Sequence, residues 1–110
     1  MSARGTEVHA ACAVQFTGGV PNFAWQSGEF DAAAFVDNGA GDITLTFNAA
    51  NGVDITEIAW DVQPIFNAAR VTIAVEALTD TTTRFRIYDQ VTAGLLDVAF
   101  SAIAYKRVII

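Results

Sequence analysis

Apolar and polar positions alternate along most of this chain. Val8, Ala10, Cys12, Val14 and Phe16 fall on one side of a first run, and Ile43, Leu45 and Phe47 on one side of a second, opposite Thr44 and Thr46. Ile58, Trp60 and Val62 form a third run, facing away from Ala59, Asp61 and Gln63; Val71, Ile73, Val75 and Ala77 form a fourth. Phe85 and Ile87 alternate with Arg84, Arg86 and Tyr88, and Leu96, Val98 and Phe100 open a last run that extends towards Ile110. A period of two, rich in Thr, Val, Ile and Phe, is the pattern of half-buried strands. Turn residues separate the runs: Thr17-Gly18-Gly19, Asn38-Gly39, Asn51-Gly52, Thr79-Asp80-Thr81 and Ala93-Gly94. Pro64 cannot donate to a ladder, so it ends its strand or lies on an edge. No stretch carries a capped helical period. The expectation is an all-β fold, an antiparallel β-sandwich or jelly roll of about seven to eight strands. A single domain is expected over residues 1–110, with 1–6 a short N-terminal arm.

Composition changes that picture in one respect. Apolar types make up 53% of the 110 residues and charged types 16%, against roughly 25% charged in an ordinary domain. A domain this small leaves about a third of its extended-chain surface outside its own core. Apolar side chains must therefore meet lipid or another subunit. No apolar run approaches the about 20 residues of a spanning helix; the longest, from Leu95 to Tyr105, is broken by Asp97 and Ser101. The start, Met-Ser-Ala-Arg-Gly-Thr-Glu, has no apolar signal core. The expectation is an oligomer, not a membrane protein. Twelve acidic residues against six scattered basic ones argue against nucleic acid.

Candidate chemistry is sparse. Asp37-Asn38-Gly39-Ala40-Gly41-Asp42 resembles a ligand loop only in composition. A calcium-binding EF-hand needs donors at alternate positions and a distant Glu, and a dinucleotide fingerprint needs a third Gly and a helix. A strand follows here, so the loop reads as a turn in which Gly39 supplies positive φ. On that reading no metal or cofactor is bound, replacing Gly39 costs about 1 kcal/mol or more, and Asp42→Asn changes little. Glu29 with Asp31, and Glu57 with Asp61, are pairs of the kind a hydrolase uses, but in so acidic a chain solvated faces explain them. His9 is the single histidine and no Gly-x-Ser-x-Gly is present, which leaves a nucleophilic triad without support. Cys12, also single, lies within an alternating apolar set and reads as a small buried hydrophobe. Trp60 is in phase with core positions. Trp25, in a less regular segment, is the candidate for an exposed sugar-stacking platform.

The order of these features resembles the small β-sandwich domains of bacteriophage virion proteins, found at tail-fibre tips and on capsids. Their central signature is a Gly-x-Gly-Asp turn feeding an alternating strand that ends in Phe, matched here by Gly39, Gly41, Asp42, Leu45 and Phe47, with Phe16 closing the earlier strand. Two departures are Ile43, where the family commonly has an aromatic, and Ile58-Ala59-Trp60 in place of a Tyr-centred strand. The resemblance implies a non-enzymatic virion protein assembled in the host cytoplasm, a homotrimer that docks on a major capsid or fibre protein. A small chain fits a capsid decoration (cement) or short fibre or spike subunit. The alternative is a carbohydrate-binding module or receptor-binding tip that holds a host-surface glycan through Trp25. Phe16, Leu45, Phe47 and Trp60 are expected in the core. Val108, Ile109 and Ile110, three aliphatic residues in a row, are expected to be buried against the core or a neighbouring subunit.

Overall fold

The computed structural model describes residues 4–65 and 70–109, and side chains within 5–65 and 70–107. Eight strands run through the described residues: β1 Arg4–Thr17, β2 Val20–Gln26, β3 Val36–Gly39, β4 Asp42–Thr46, β5 Ile58–Pro64, β6 Val71–Ala77, β7 Thr82–Asp89 and β8 Phe100–Ile109. They form a β-sandwich of two antiparallel sheets. Sheet 1 has the order β2-β1-β8-β5 and sheet 2 the order β3-β4-β7-β6. The strands predicted from alternation are present, and β2 and β3 join them.

The core lies between the two sheets, and each sheet supplies a different half of it. Sheet 1 turns mostly small residues inward, with Ala10, Cys12, Ala102 and Ala104 fully buried beside Val14 and the large ring of Phe100. Sheet 2 supplies large ones, Ile43, Leu45, Phe85 and Ile87. The space left by the small residues is taken by a line of rings. Phe30 stacks on Phe47 with centroids 5.1 Å apart, Phe47 on Trp60 at 5.9 Å, Trp60 meets Phe85 edge-on at 5.1 Å, and Phe85 lies 5.5 Å from Phe100. Such pairs contribute about 0.5–1.5 kcal/mol each beyond their area. Leu45 and Phe47 are buried, while Phe16 and Trp60 are half-buried and pack against this cluster.

Two irregularities re-aim β1 and its partners. Against β8 the register shifts between Val8 and Ala10, so His9 is an extra residue. One inserted residue reverses the facing of everything beyond it. Val8 is therefore 59% exposed, a correction to its expected place beside Ala10. The second shift, between Ala13 and Val14 against β2, sets Phe23 opposite Val14 and Trp25 opposite Ala13. Phe23 packs on the core, and Trp25 turns outward.

The last run is also shorter than expected. Leu96 and Val98 precede β8, because residues 95–99 are held elsewhere: Leu95 bridges Tyr88, and the Leu96 amide donates to the Ile87 carbonyl at 3.0 Å. β1 takes in residues 4–6 of the expected arm, with Arg4 opposite Ile109 and Gly5 opposite Val108.

Candidate functional site

Residues 37–42 span the end of β3, the turn at Ala40 and Gly41 and the first residue of β4, and hydrogen bonds from outside the hairpin fix this segment. The Asp37 carboxylate accepts from the Gly39 amide at 3.0 Å, and Gly39 has φ 125°. Gly41, at φ 60°, is the tighter position. Its amide donates to Asp97 Oδ1 at 2.6 Å, and its carbonyl accepts from the Ile87 amide at 2.7 Å. A Cβ on Gly41 would lie 2.6 Å from the Leu96 nitrogen and 2.7 Å from the Leu96 oxygen, both backbone atoms. Nothing lies within 4 Å of the corresponding point on Gly39. Gly39 thus answers a need of backbone conformation alone, and Gly41 a need of conformation and space together.

Asp42 stands on the outer face of sheet 2 and is nevertheless only 5% exposed. Arg84 grips its carboxylate with two donors, Nε to Oδ1 at 2.9 Å and a terminal nitrogen to Oδ2, while Asn38 Nδ2 approaches Oδ1 at 3.4 Å. Arg84 lies directly opposite Thr44 and reaches Asp42 diagonally across the strand pair. On the other side of β7, Arg86 is opposite Ala74 and reaches diagonally to Glu76 at 3.0 Å. The hydrogen bonds from Arg84 hold the Asp42 carboxyl below its ordinary 3.8, against the opposing effect of burial. The expectation that Asp42→Asn changes little is therefore corrected: its carboxylate is half of a bidentate ion pair. With Asp37, Asp42 and Asp97 each bonded to protein donors, the loop is a braced turn. Among the described residues no three His, Cys, Asp or Glu side chains come together as metal ligands.

The remaining candidates sit apart from one another. Glu29 accepts from Ser27 Oγ at 2.6 Å, and Asp31 caps the short 3-10 turn Ala32–Ala34 through the Ala33 amide. Asp61 lies on the outer face of β5 and accepts from Gln63 at 3.2 Å, whereas Glu57 precedes that strand. His9 donates from Nε2 to the Asn51 carbonyl at 2.7 Å and meets Phe47 edge-on at 5.1 Å. Burial pushes the Cys12 thiol up to about 12, so it stays protonated and unreactive. Trp60 is half-buried, with its indole nitrogen enclosed and unpaired.

Trp25 is 53% exposed on the outer face of sheet 1. Its row there continues through Ala13, Ser101 and Gln63. The next rows are Ala11, Ile103 and Asp61, then Val8, Tyr105 and Ala59. The only charge in these three rows is Asp61. Val108 and Ile109 end β8, and their side chains, with Ile110, lie outside the described residues. Comparison with protein-family models, curated proteins and solved structures returns no match for this chain.

Proposed function

We propose that the protein is a non-enzymatic structural subunit of a bacteriophage particle, a capsid decoration or short fibre or spike component that works by self-association and docking. The observation that carries this reading is the apolar surface left outside the core. Val8, Val20, Trp25, Val36 and Val91 are all well exposed, and the outer rows of sheet 1 are mostly small or apolar, with Gln63 and Asp61 as the polar exceptions on β5. Surface of that kind is stabilised by burial against another chain, at roughly 25 cal/mol per Å². The phage assignment and the three-fold count rest on the resemblance carried by Gly39, Gly41, Asp42, Leu45 and Phe47, and with them the virion as the site of action and the capsid or fibre protein as the partner. Light scattering on the intact chain and on a variant ending at Arg107 tests the reading. An assembly that weakens when Val108, Ile109 and Ile110 are removed is expected; a monomer indifferent to the truncation would count against it.

The exposure of Trp25 favours a second reading, a domain that stacks a host-surface glycan on that indole. A glycan array probed with the intact protein and with Trp25→Ala separates the two. Binding that disappears with the indole would make the glycan site the better description.

A further inference from the structure

Among the described strands, four have an unpaired edge: β2 and β5 in sheet 1, β3 and β6 in sheet 2. Three of these are blunted in ways that natural sheets use to prevent open-ended pairing. β2 carries Pro21 and the register shift; β5 carries the outward Asp61 and closes on Pro64. β3 is four residues long and ends on Gly39. β6 has no proline, glycine or register shift, and its one outward charge, Glu76, is held along sheet 2 by Arg86 at 3.0 Å. Val71-Thr72-Ile73-Ala74-Val75-Glu76-Ala77 pairs residue for residue with β7.

Hydrogen-bond directions show what this edge offers. The Gln90 amide donates to the Arg70 carbonyl and the Leu78 amide to the Thr82 carbonyl, each at 2.9 Å. With the one-to-one register, even-numbered residues turn their backbone groups towards β7. Val71, Ile73, Val75 and Ala77 turn theirs outward. Gln90 Nε2 meets one of these groups, the Val71 carbonyl, at 3.3 Å. Val75 lies on the core-facing side yet is 36% exposed, and Leu78 just beyond is 42% exposed.

We propose that β6 pairs with β6 of a second copy of this chain, antiparallel across a two-fold axis, joining two copies of sheet 2 edge to edge. The outward groups can bond only in registers that set odd residues against odd. One of these sets Ile73 against its own counterpart, and it places Arg70 opposite the partner's Glu76 at both ends of the contact. Arg70 and Glu76 are both exposed, and both lie on the outer face. They would form a non-hydrogen-bonded pair, where side chains across two strands come closest. The neighbouring register faces Glu76 with Thr72, and the one that sets Glu76 against itself is repulsive. Charge thus selects a single alignment in a chain whose net charge of −6 disfavours indiscriminate contact. The contact goes beyond the proposed function: it fixes a two-fold interface, separate from the three-fold count implied by the resemblance.

Sedimentation equilibrium over a dilution series tests it, on the full chain and on Val75→Pro, Arg70→Glu, Glu76→Arg and the double swap, with circular dichroism as the check on folding. Val75→Pro removes an outward N–H that makes no bond to β7, an edge setting that proline tolerates. It is expected to raise the dimer Kd more than about tenfold, since two of the three hydrogen-bonded pairs across the edge, those of Val75 with the partner's Val71 on either side of Ile73, are disturbed. Arg70→Glu is expected to weaken the dimer several-fold at low salt, and the double swap to restore it. Should Val75→Pro fail to fold, the charge swap alone decides. A wild-type monomer throughout the series, a dimer indifferent to the swap, or a double variant no better than the singles would overturn the proposal. An assembly that persists unchanged in every variant would do so as well, while leaving the proposed function standing.

Discussion

The outer face of sheet 1 and the outer face of sheet 2 treat polar groups in opposite ways. On sheet 2, Asp42 and Arg84, then Arg86 and Glu76, tie three adjacent strands together by diagonal ion pairs. On sheet 1 the corresponding rows are alanine, valine, serine, glutamine, isoleucine, tyrosine and tryptophan, with Asp61 as their lone charge. The edges reverse this pattern. Sheet 1 is blunted at both edges, by Pro21 and Pro64, and sheet 2 leaves β6 regular. One sheet is finished at its edges and open on its face; the other is finished on its face and open at an edge. The self-association proposed above would have two separate places to act, and a polar inventory of the whole surface would show neither.

The largest effect is expected where sheet 2 is pinned to the 95–97 segment. Gly41→Ala puts a Cβ against the Leu96 backbone and forces a left-handed φ on alanine, a cost of about 3 kcal/mol or more. Thermal unfolding is the readout, and a loss no greater than that of Gly39→Ala would remove the pinch from the account. Asp42→Asn is expected to cost about 1–2 kcal/mol, the lower end because Arg84 is partly solvated. Its pH dependence carries a sign. Because the folded carboxyl titrates below 3.8, the pair stabilises the fold above that value and loses its contribution as pH falls through the folded pKa. The gap between wild type and Asp42→Asn should therefore close in acid and stay constant at neutral pH.

Gly39→Val should cost about 1 kcal/mol, from backbone conformation without a clash. Smaller still is Val8→Thr on sheet 1, within about 0.5 kcal/mol because the bulge at His9 has turned Val8 outward. Val14→Thr, on the buried side of the same strand, should be far more damaging. Equal losses at the two positions would mean that the bulge does not reverse the strand.

Those contrasts mark where the sequence was readable. Alternation revealed six of the strands, since each keeps one face in the core; Phe47, Leu45 and Trp60 could be placed from phase alone. β2 escaped because an extra residue at Ala24 breaks its period between Phe23 and Trp25, and β3 because its four residues have no buried face. Val8 was misplaced for the same reason as β2. The loop was legible as a turn, but its two glycines could not be ranked: the atoms that crowd Gly41 belong to Leu96, which reaches it only through the fold. The Asp42 pair was hidden likewise. Alternating Arg84 and Arg86 announce a charged face, whereas the diagonal that picks Asp42 depends on the β4–β7 register.

Sedimentation velocity of the intact chain across a wide concentration range tests the central claim most directly, that this domain completes its burial against copies of itself. Species at integral multiples of 11.7 kDa that dissociate on dilution are expected. A single species of 11.7 kDa at every concentration would contradict it.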